Sequence, residues 1–195
     1  MRIVGGRFRG AKLAAPASAG VAEDGGEARL RPTSDRMRES LFNLLAHGGF
    51  AEPSPPQGMR VLDLFAGTGA LGLEAMSRGA ARCQFVDDLG AARALIRSNV
   101  EALGLTGATK LYRRDATRLG PCRGEPYDLV FLDPPYGKGL GEAALASARD
   151  GGWLAPGALV CWEEAAEAAV APPEGFEILD ERRYGAAALR ILRAA

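Results

Sequence analysis

The sequence predicts an α/β domain: a mainly parallel, doubly wound sheet with an antiparallel hairpin at its end. Three observations predict it. From residue 59 onward, short apolar runs of strand length alternate with segments whose apolar residues recur at helical spacing. Glycines punctuate the passages from strand to helix and the ends of the helices. Two final runs, 176–184 and 186–193, face each other through Gly185 with no helix between them. A chain of 195 residues is long enough for one medium domain with a real core and too short for two large ones.

The elements follow in order. Residues 2–14, RIVGGRFRGAKLA, alternate loosely and break at Gly5-Gly6 and Gly10, which reads as a small β-hairpin. Residues 17–28 are small, acidic and glycine-rich and read as a flexible loop. Thr33, Ser34 and Asp35 after Pro32 offer N-caps to a helix carrying Met37, Leu41, Leu44 and Leu45, and Gly48-Gly49 stops it. Pro53, Pro55 and Pro56 mark a linker, dividing an N-terminal extension at 1–50 from a main domain at 51–195. There, MRVLDLF is the first strand, Gly67 to Gly69 a turn, and Ala70 to Ser77 a helix ended by Gly79. RCQFVD is the second strand, followed by a helix at 90–103 with Leu95, Ile96, Val100 and Leu103 on its apolar side. TKLYR and YDLVFLD are the third and fourth strands, before a helix at 139–149, a strand at 158–162 and the hairpin.

Composition narrows the function classes. Hydrophobic residues at 47% and charged residues at 25% are an ordinary globular balance, and the formal net charge is zero. Charge is nevertheless uneven: residues 1–16 carry Arg2, Arg7, Arg9 and Lys12 and no acid, which suits contact with phosphates. Arg31, Arg36 and Arg38 could extend that surface or pair with Asp35 and Glu39. Cys83, Cys122 and Cys161 form no CxxC pair and His47 stands alone, so neither a metal site nor a disulfide framework is expected. His47, beside glycines at a helix end, reads as a cap rather than a catalyst. No apolar stretch approaches the ~18 residues of a membrane helix and no apolar leader follows the basic N-terminus. A cytoplasmic, membrane-free protein is expected, and nothing demands more than a monomer.

Two motifs carry the chemistry. The first, DLFAGTGALG at 63–72, contains a GxGxxG turn beyond the carboxyl end of the first strand, where open α/β sheets bind ligands. Asp87 follows Gly67 by 20 residues at the end of the second strand, where a carboxylate can take both hydroxyls of a ribose. A nicotinamide enzyme would show the same pattern, but Asp63 just before the glycines would repel a pyrophosphate and suits an ammonium. The second motif is Asp133-Pro134-Pro135-Tyr136 at the end of the fourth strand. The Asp133 carboxylate and the Pro134 carbonyl offer two acceptors to an exocyclic amino group, and Tyr136 offers a flat face to an unstacked base. The pair of motifs implies methyl transfer from S-adenosyl-L-methionine to a base amine. Alignment does most of the catalysis, because the amine proton turns acidic only as nitrogen gains charge. Cofactor-binding candidates are Asp63, Phe65, Ala66, Gly67, Gly69, Asp87, Asp115 and Ala116, although Asp115 could equally cap the following turn.

The segments RIVGGRFRGAKL at 2–13, RPTSDRMRESLFNLL at 31–45, DLFAGTGALGLEAMSRGA at 63–80 and DLVFLDPPY at 128–136 together resemble the RsmD-type 16S rRNA guanine-N2 methyltransferases. The resemblance implies a Rossmann-like class I S-adenosylmethionine-dependent methyltransferase fold with a small N-terminal β-hairpin that touches RNA. It implies methylation of N2 on one guanine of 16S rRNA, guanine 966 in the standard numbering, on an assembled or assembling small ribosomal subunit. By matching position, Asp87 would hold the cofactor ribose and Asp115 its adenine, while Asp133, Pro134 and Tyr136 would hold the target amine and base. Asp87 replaces the glutamate usual in that family, and the 17–28 stretch is an insertion of no assigned role. Two other readings are an amino methyltransferase acting on DNA or protein, and a non-catalytic RNA-binding assembly factor.

Overall fold

The computed structural model describes residues 1–16 and 34–195. The strands are β1 (Arg60–Leu64), β2 (Arg82–Val86), β3 (Thr109–Tyr112), β4 (Tyr127–Leu132), β5 (Leu154–Ala165), β6 (Phe176–Tyr184) and β7 (Ala187–Ala194). The helices are α1 (Asp35–His47), α2 (Ala70–Ser77), α3 (Gly90–Ala102) and α4 (Leu140–Asp150). All seven strands form one sheet in the order β3-β2-β1-β4-β5-β7-β6. The first five are mutually parallel, and β7 runs antiparallel between β5 and β6.

Alternation along the strands builds two cores, one on each face of the sheet. Val61, Phe85, Leu129, Phe131, Cys161 and Ile191 face one core, where α1 and α2 add Phe42, Leu45, Leu73 and Met76. Leu62, Leu64, Val86, Val130, Leu132, Val160 and Trp162 face the other, where α4 adds Ala144, Leu145 and Ala148. Both faces of β1, β2 and β4 are therefore covered, which is why these strands read as mainly apolar runs, broken by Asp63, Gln84 and Asp128, rather than as alternation. The fifth strand extends beyond the expected 158–162 because Leu154 pairs with Tyr127 and Glu163 to Ala165 pair with Leu189 to Ala187.

Ser34 caps α1, its hydroxyl accepting from the Met37 amide at 3.1 Å. Arg38 is fully buried and donates to Asp35 Oδ1 and to the Arg2 carbonyl, both at 2.6 Å, so its role is internal pairing rather than phosphate contact. The expected N-terminal hairpin is short: Arg2 bridges Lys12, with the Ile3 amide donating to the Ala11 carbonyl at 2.9 Å and the Leu13 amide to the Met1 carbonyl at 3.1 Å, around a 3-10 turn at Gly6–Phe8. Its outward amides dock it on α2: Val4 donates to Glu74 Oε2 at 2.8 Å and Phe8 to Ser77 Oγ at 2.9 Å. Ile3 and Leu13 are buried in the same core as α1 and α2.

Glu74 is fully buried and also accepts from Arg78 Nε at 2.7 Å. Glu74→Ala would strand a main-chain amide and a guanidinium together. The expected loss of unfolding free energy is about 3 kcal/mol, read from the urea midpoint, with faster hydrogen exchange at the Val4 amide.

Candidate active site

The chain leaves β1 for β2 and β3 on one side and returns to β4 on the other. The loops after β1 and β4 therefore diverge and open a crevice at the carboxyl end of the sheet. Leu64 pairs with Leu132, so Phe65 and Asp133 leave adjacent strands at the same level. The two sequence motifs thus stand about one strand spacing apart, roughly 5 Å.

The glycine loop is tightly specified. Phe65 adopts φ 56°, a left-handed conformation unfavourable for a bulky residue. Gly69 caps α2 at φ 78°, which a side chain would resist. Gly72 serves packing: a Cβ there would lie 2.4 Å from Phe85 Cε1 and 2.6 Å from Cys83 Sγ, so helix and sheet could not approach as closely. Two carboxylates fix the loop. Asp87 Oδ2 accepts from the Gly67 amide at 2.9 Å while Oδ1 accepts from Leu89 at 2.8 Å. Asp63 Oδ2 accepts from the Gly72 amide at 2.9 Å. Asp63 is only 2% exposed and lies beneath α2. Burial pushes its carboxyl up to about 8; the Gly72 amide opposes the shift and the charge of Asp87 adds to it.

Phe65, Asp87, Asp115, Ala116 and Leu140 line a cleft over the ends of β1, β2 and β3. Four sequence candidates thus meet in one place. Ala66 is buried, with its amide donating to the Val86 carbonyl at 3.1 Å, and Gly67 is half-buried at the loop's crest. Asp115 caps the turn Ala116–Arg118, its Oδ1 accepting from the Thr117 amide at 2.8 Å and the Thr117 hydroxyl at 2.7 Å. A carboxylate beside apolar walls and a glycine-bounded crest suits a nucleoside with a ribose diol, so these residues fit the cofactor of the sequence reading.

On the β4 side, Asp133 is half-buried and Pro134 buried. The Tyr136 hydroxyl donates to Glu163 Oε1 at 2.5 Å, and the Gly137 amide donates to Glu164 Oε1 at 3.0 Å. Burial, then the Glu163 hydrogen bond, holds the Tyr136 phenol far above its usual range, so it remains a donor.

The family model for conserved hypothetical protein 95 matches residues 1–193. Ribosomal RNA small subunit methyltransferase D of Escherichia coli K12 is 37% identical over 193 residues, spanning 98% of this chain and 88% of that protein. The chain belongs to the RsmD family. The protein of the same name from Haemophilus influenzae is 32% identical over 194 residues, covering 98% of this chain and 92% of that one. The solved Escherichia coli structure of yhhF superposes with a TM-score of 0.78 at 34% identity, covering 100% of this chain and 97% of that one. The RsmD-family fold is a Rossmann-like class I methyltransferase fold.

In this RsmD-family chain the basic arm lies along α2. Near one end of it, Met1 Sδ lies 3.8 Å from the hydroxyl of Thr68 in the glycine loop. Asn99, 2% exposed, donates to the Thr68 carbonyl at 3.0 Å and accepts from the Ala14 amide at 2.7 Å. The arm's turn, carrying exposed Arg7 and Arg9, packs beside Ser77 at the opposite end of the helix. A helix of eight residues rises about 12 Å, so these arginines stand well away from the crevice. Arg2, Lys12 and Arg36 are also exposed, with Arg2 3.4 Å from Asp35 Oδ2. Arg31 lies outside the described residues, as do the 17–28 insertion and Thr33. His47 ends α1, exposed. Among the described residues, no group of three or more His, Cys, Asp or Glu could hold a metal ion, and no helix is long and apolar enough to cross a membrane.

The sequence reading missed Glu163, Glu164 and Asn99. The two glutamates had a signal. They end an apolar strand, as Asp63, Asp87 and Asp133 do at the ends of β1, β2 and β4. Asn99 had none, because its partners are 85 and 31 residues away.

Asp63 gives a pH test. Between its ordinary value of 3.8 and about 8, the folded protein keeps a proton that the unfolded chain releases. Folding stability from this group is therefore present below 3.8 and declines with rising pH until about 8. Asp63→Asn, which keeps an acceptor for Gly72, should flatten that decline in urea unfolding at pH 5 to 9 (range chosen to bracket the transition). Parallel wild-type and variant profiles would contradict it.

Proposed function

We propose that this protein transfers a methyl group from S-adenosylmethionine to the exocyclic N2 of one guanine in 16S rRNA, guanine 966 in the standard numbering, on an assembled or assembling small subunit. The observation that carries this reading is the adjacency of the glycine loop and the Asp133-Pro134-Pro135-Tyr136 motif across paired β1 and β4. Relatives named for small-subunit ribosomal RNA methylation, matched along nearly the whole chain, support the RNA substrate.

S-adenosylmethionine supplies a methyl group already activated by its positive sulfur. Asp87 holds the ribose hydroxyls, and Asp115 and Ala116 border the adenine. Asp63 opposes the cofactor's ammonium from beneath α2, in addition to fixing Gly72. Phe65, Ala66, Gly67 and Gly69 shape the main chain against which the cofactor lies. Asp133 and the Pro134 carbonyl accept the two N–H bonds of the target amine and turn its lone pair toward the methyl group. Tyr136 stacks on the flipped base, which leaves the helix at the expense of its own stacking. Arg2, Arg7, Arg9, Lys12, Arg31 and Arg36 contact phosphates, so the RNA runs from the crevice along the arm over α2.

The deciding experiment offers labelled S-adenosylmethionine with small subunits from cells lacking the gene, naked 16S rRNA and duplex DNA. N2-methylguanosine in subunit RNA, identified by mass spectrometry, is the expected product. Label in DNA or as N6-methyladenosine would replace the acceptor, and cofactor binding without transfer to any nucleic acid would indicate an assembly factor.

Two variants test the assigned roles. Asp133→Ala should abolish methyl transfer while titration calorimetry still detects cofactor binding; equal loss of binding would refute its role. Replacing Arg7 and Arg9 together with Ala should reduce the slope of log affinity against log salt by about 1 to 2. An unchanged slope would take the turn out of the RNA interface.

A further inference from the structure

We propose that Glu163 is the specificity-determining residue of the base pocket, accepting the N1–H of the target guanine beside the amine held by Asp133. The inference rests on the function proposed above and goes beyond it, since it explains which base is admitted. Its ground is the register of the sheet. Leu132 pairs with Trp162, so the next residues along, Asp133 and Glu163, occupy the same level on neighbouring strands. Phe131 and Cys161, two residues earlier on the same strands, both face the core beneath α2. The Tyr136 hydroxyl then ties the motif to Glu163 Oε1 at 2.5 Å, and the charges of Glu163, Asp133 and Glu164 all act on that phenol.

The Watson–Crick edge of guanine presents two adjacent donor groups, N1–H and the N2 amine. Adenine and cytosine present an acceptor beside their amino group instead. A pocket built only from Asp133 and the Pro134 carbonyl would hold any of these amines. A second carboxylate one strand away changes that, because it welcomes a donor and repels a lone pair. Tyr136 occupies Oε1 as a donor, which fixes the carboxylate and leaves Oε2 to accept from the base. Glu164 is engaged elsewhere, accepting from the Gly137 and Ala165 amides at 3.0 and 2.9 Å. Burial makes the Glu163 carboxylate costly to leave without a donor and raises its proton affinity. A base that offers N1–H relieves that cost; one that offers an acceptor does not.

The test compares methyl transfer to small subunits reconstituted with guanine or 2-aminopurine at the target position. Both bases carry the N2 amine, and only guanine carries N1–H. The wild type should favour guanine in kcat/KM by on the order of tenfold to a hundredfold, the range of one charge-assisted hydrogen bond. Glu163→Gln should lose at least about tenfold of that preference, since its amide can donate to the acceptor of 2-aminopurine. Glu163→Ala should lose the preference as well, and measuring it only in samples with wild-type cofactor affinity separates recognition from collapse of the pocket. An unchanged preference in both variants would overturn the proposal while leaving the N2 reaction intact. Failure of the wild type to methylate guanine N2 at all would instead overturn the proposed function, and this inference with it.

Discussion

The loop between β1 and α2 is held at both ends by buried carboxylates, Asp87 on the Gly67 amide and Asp63 on the Gly72 amide. Much of the site depends on this arrangement. Main-chain amides donating to these carboxyl oxygens, both at 2.9 Å, fix the loop without a side chain in the crevice. That rigidity is what allows Phe65 to stay in a left-handed conformation at the mouth of the cleft. It also sets where α2 begins, and α2 in turn receives the N-terminal arm through Glu74 and Ser77. One short helix thus carries the glycine loop at one end and the basic turn of the arm at the other.

Asp63 carries a tension within this scheme. Its surroundings favour the neutral acid, while its position suits a cationic ligand. A buried carboxylate that ionises when an ammonium arrives would link cofactor binding to proton release. Asp87 uses both oxygens on main-chain amides, with Gly67 and Leu89 as donors.

The crevice itself comes from strand order. Parallel strands carry their carboxyl ends to one edge of the sheet, so acids ending β1, β2, β4 and β5 gather there whatever their separation in sequence. The strands flanking the switch point, β1 and β4, place theirs beside both the glycine loop and the Asp133-Pro134-Pro135-Tyr136 motif. The antiparallel pair β6 and β7 covers the far side of β5, which keeps Glu163 and Glu164 at a shielded position rather than on an open edge.

Local pattern made much of this legible. The alternation of strand and helix, the glycine loop with Asp87, and the Asp133-Pro134-Pro135-Tyr136 motif are each short in sequence, and their chemistry follows from residue type and spacing. The docking of the N-terminal hairpin was not legible, because the outward amides of Val4 and Phe8 donate to acceptors on α2 about 70 residues away. Nor was the fate of Arg38, whose burial between Asp35 and the Arg2 carbonyl depends on the arm's path. By itself the sequence determined the family and the α/β fold and where the glycine loop and the Asp133-Pro134-Pro135-Tyr136 motif stand along it, since these are properties of short runs and tight turns. The tertiary structure alone decided that Asp63 lies beneath α2, that Arg7 and Arg9 stand at its far end, and that Glu163 meets Tyr136. Those are consequences of sheet register and helix packing, interactions between segments that no local pattern encodes.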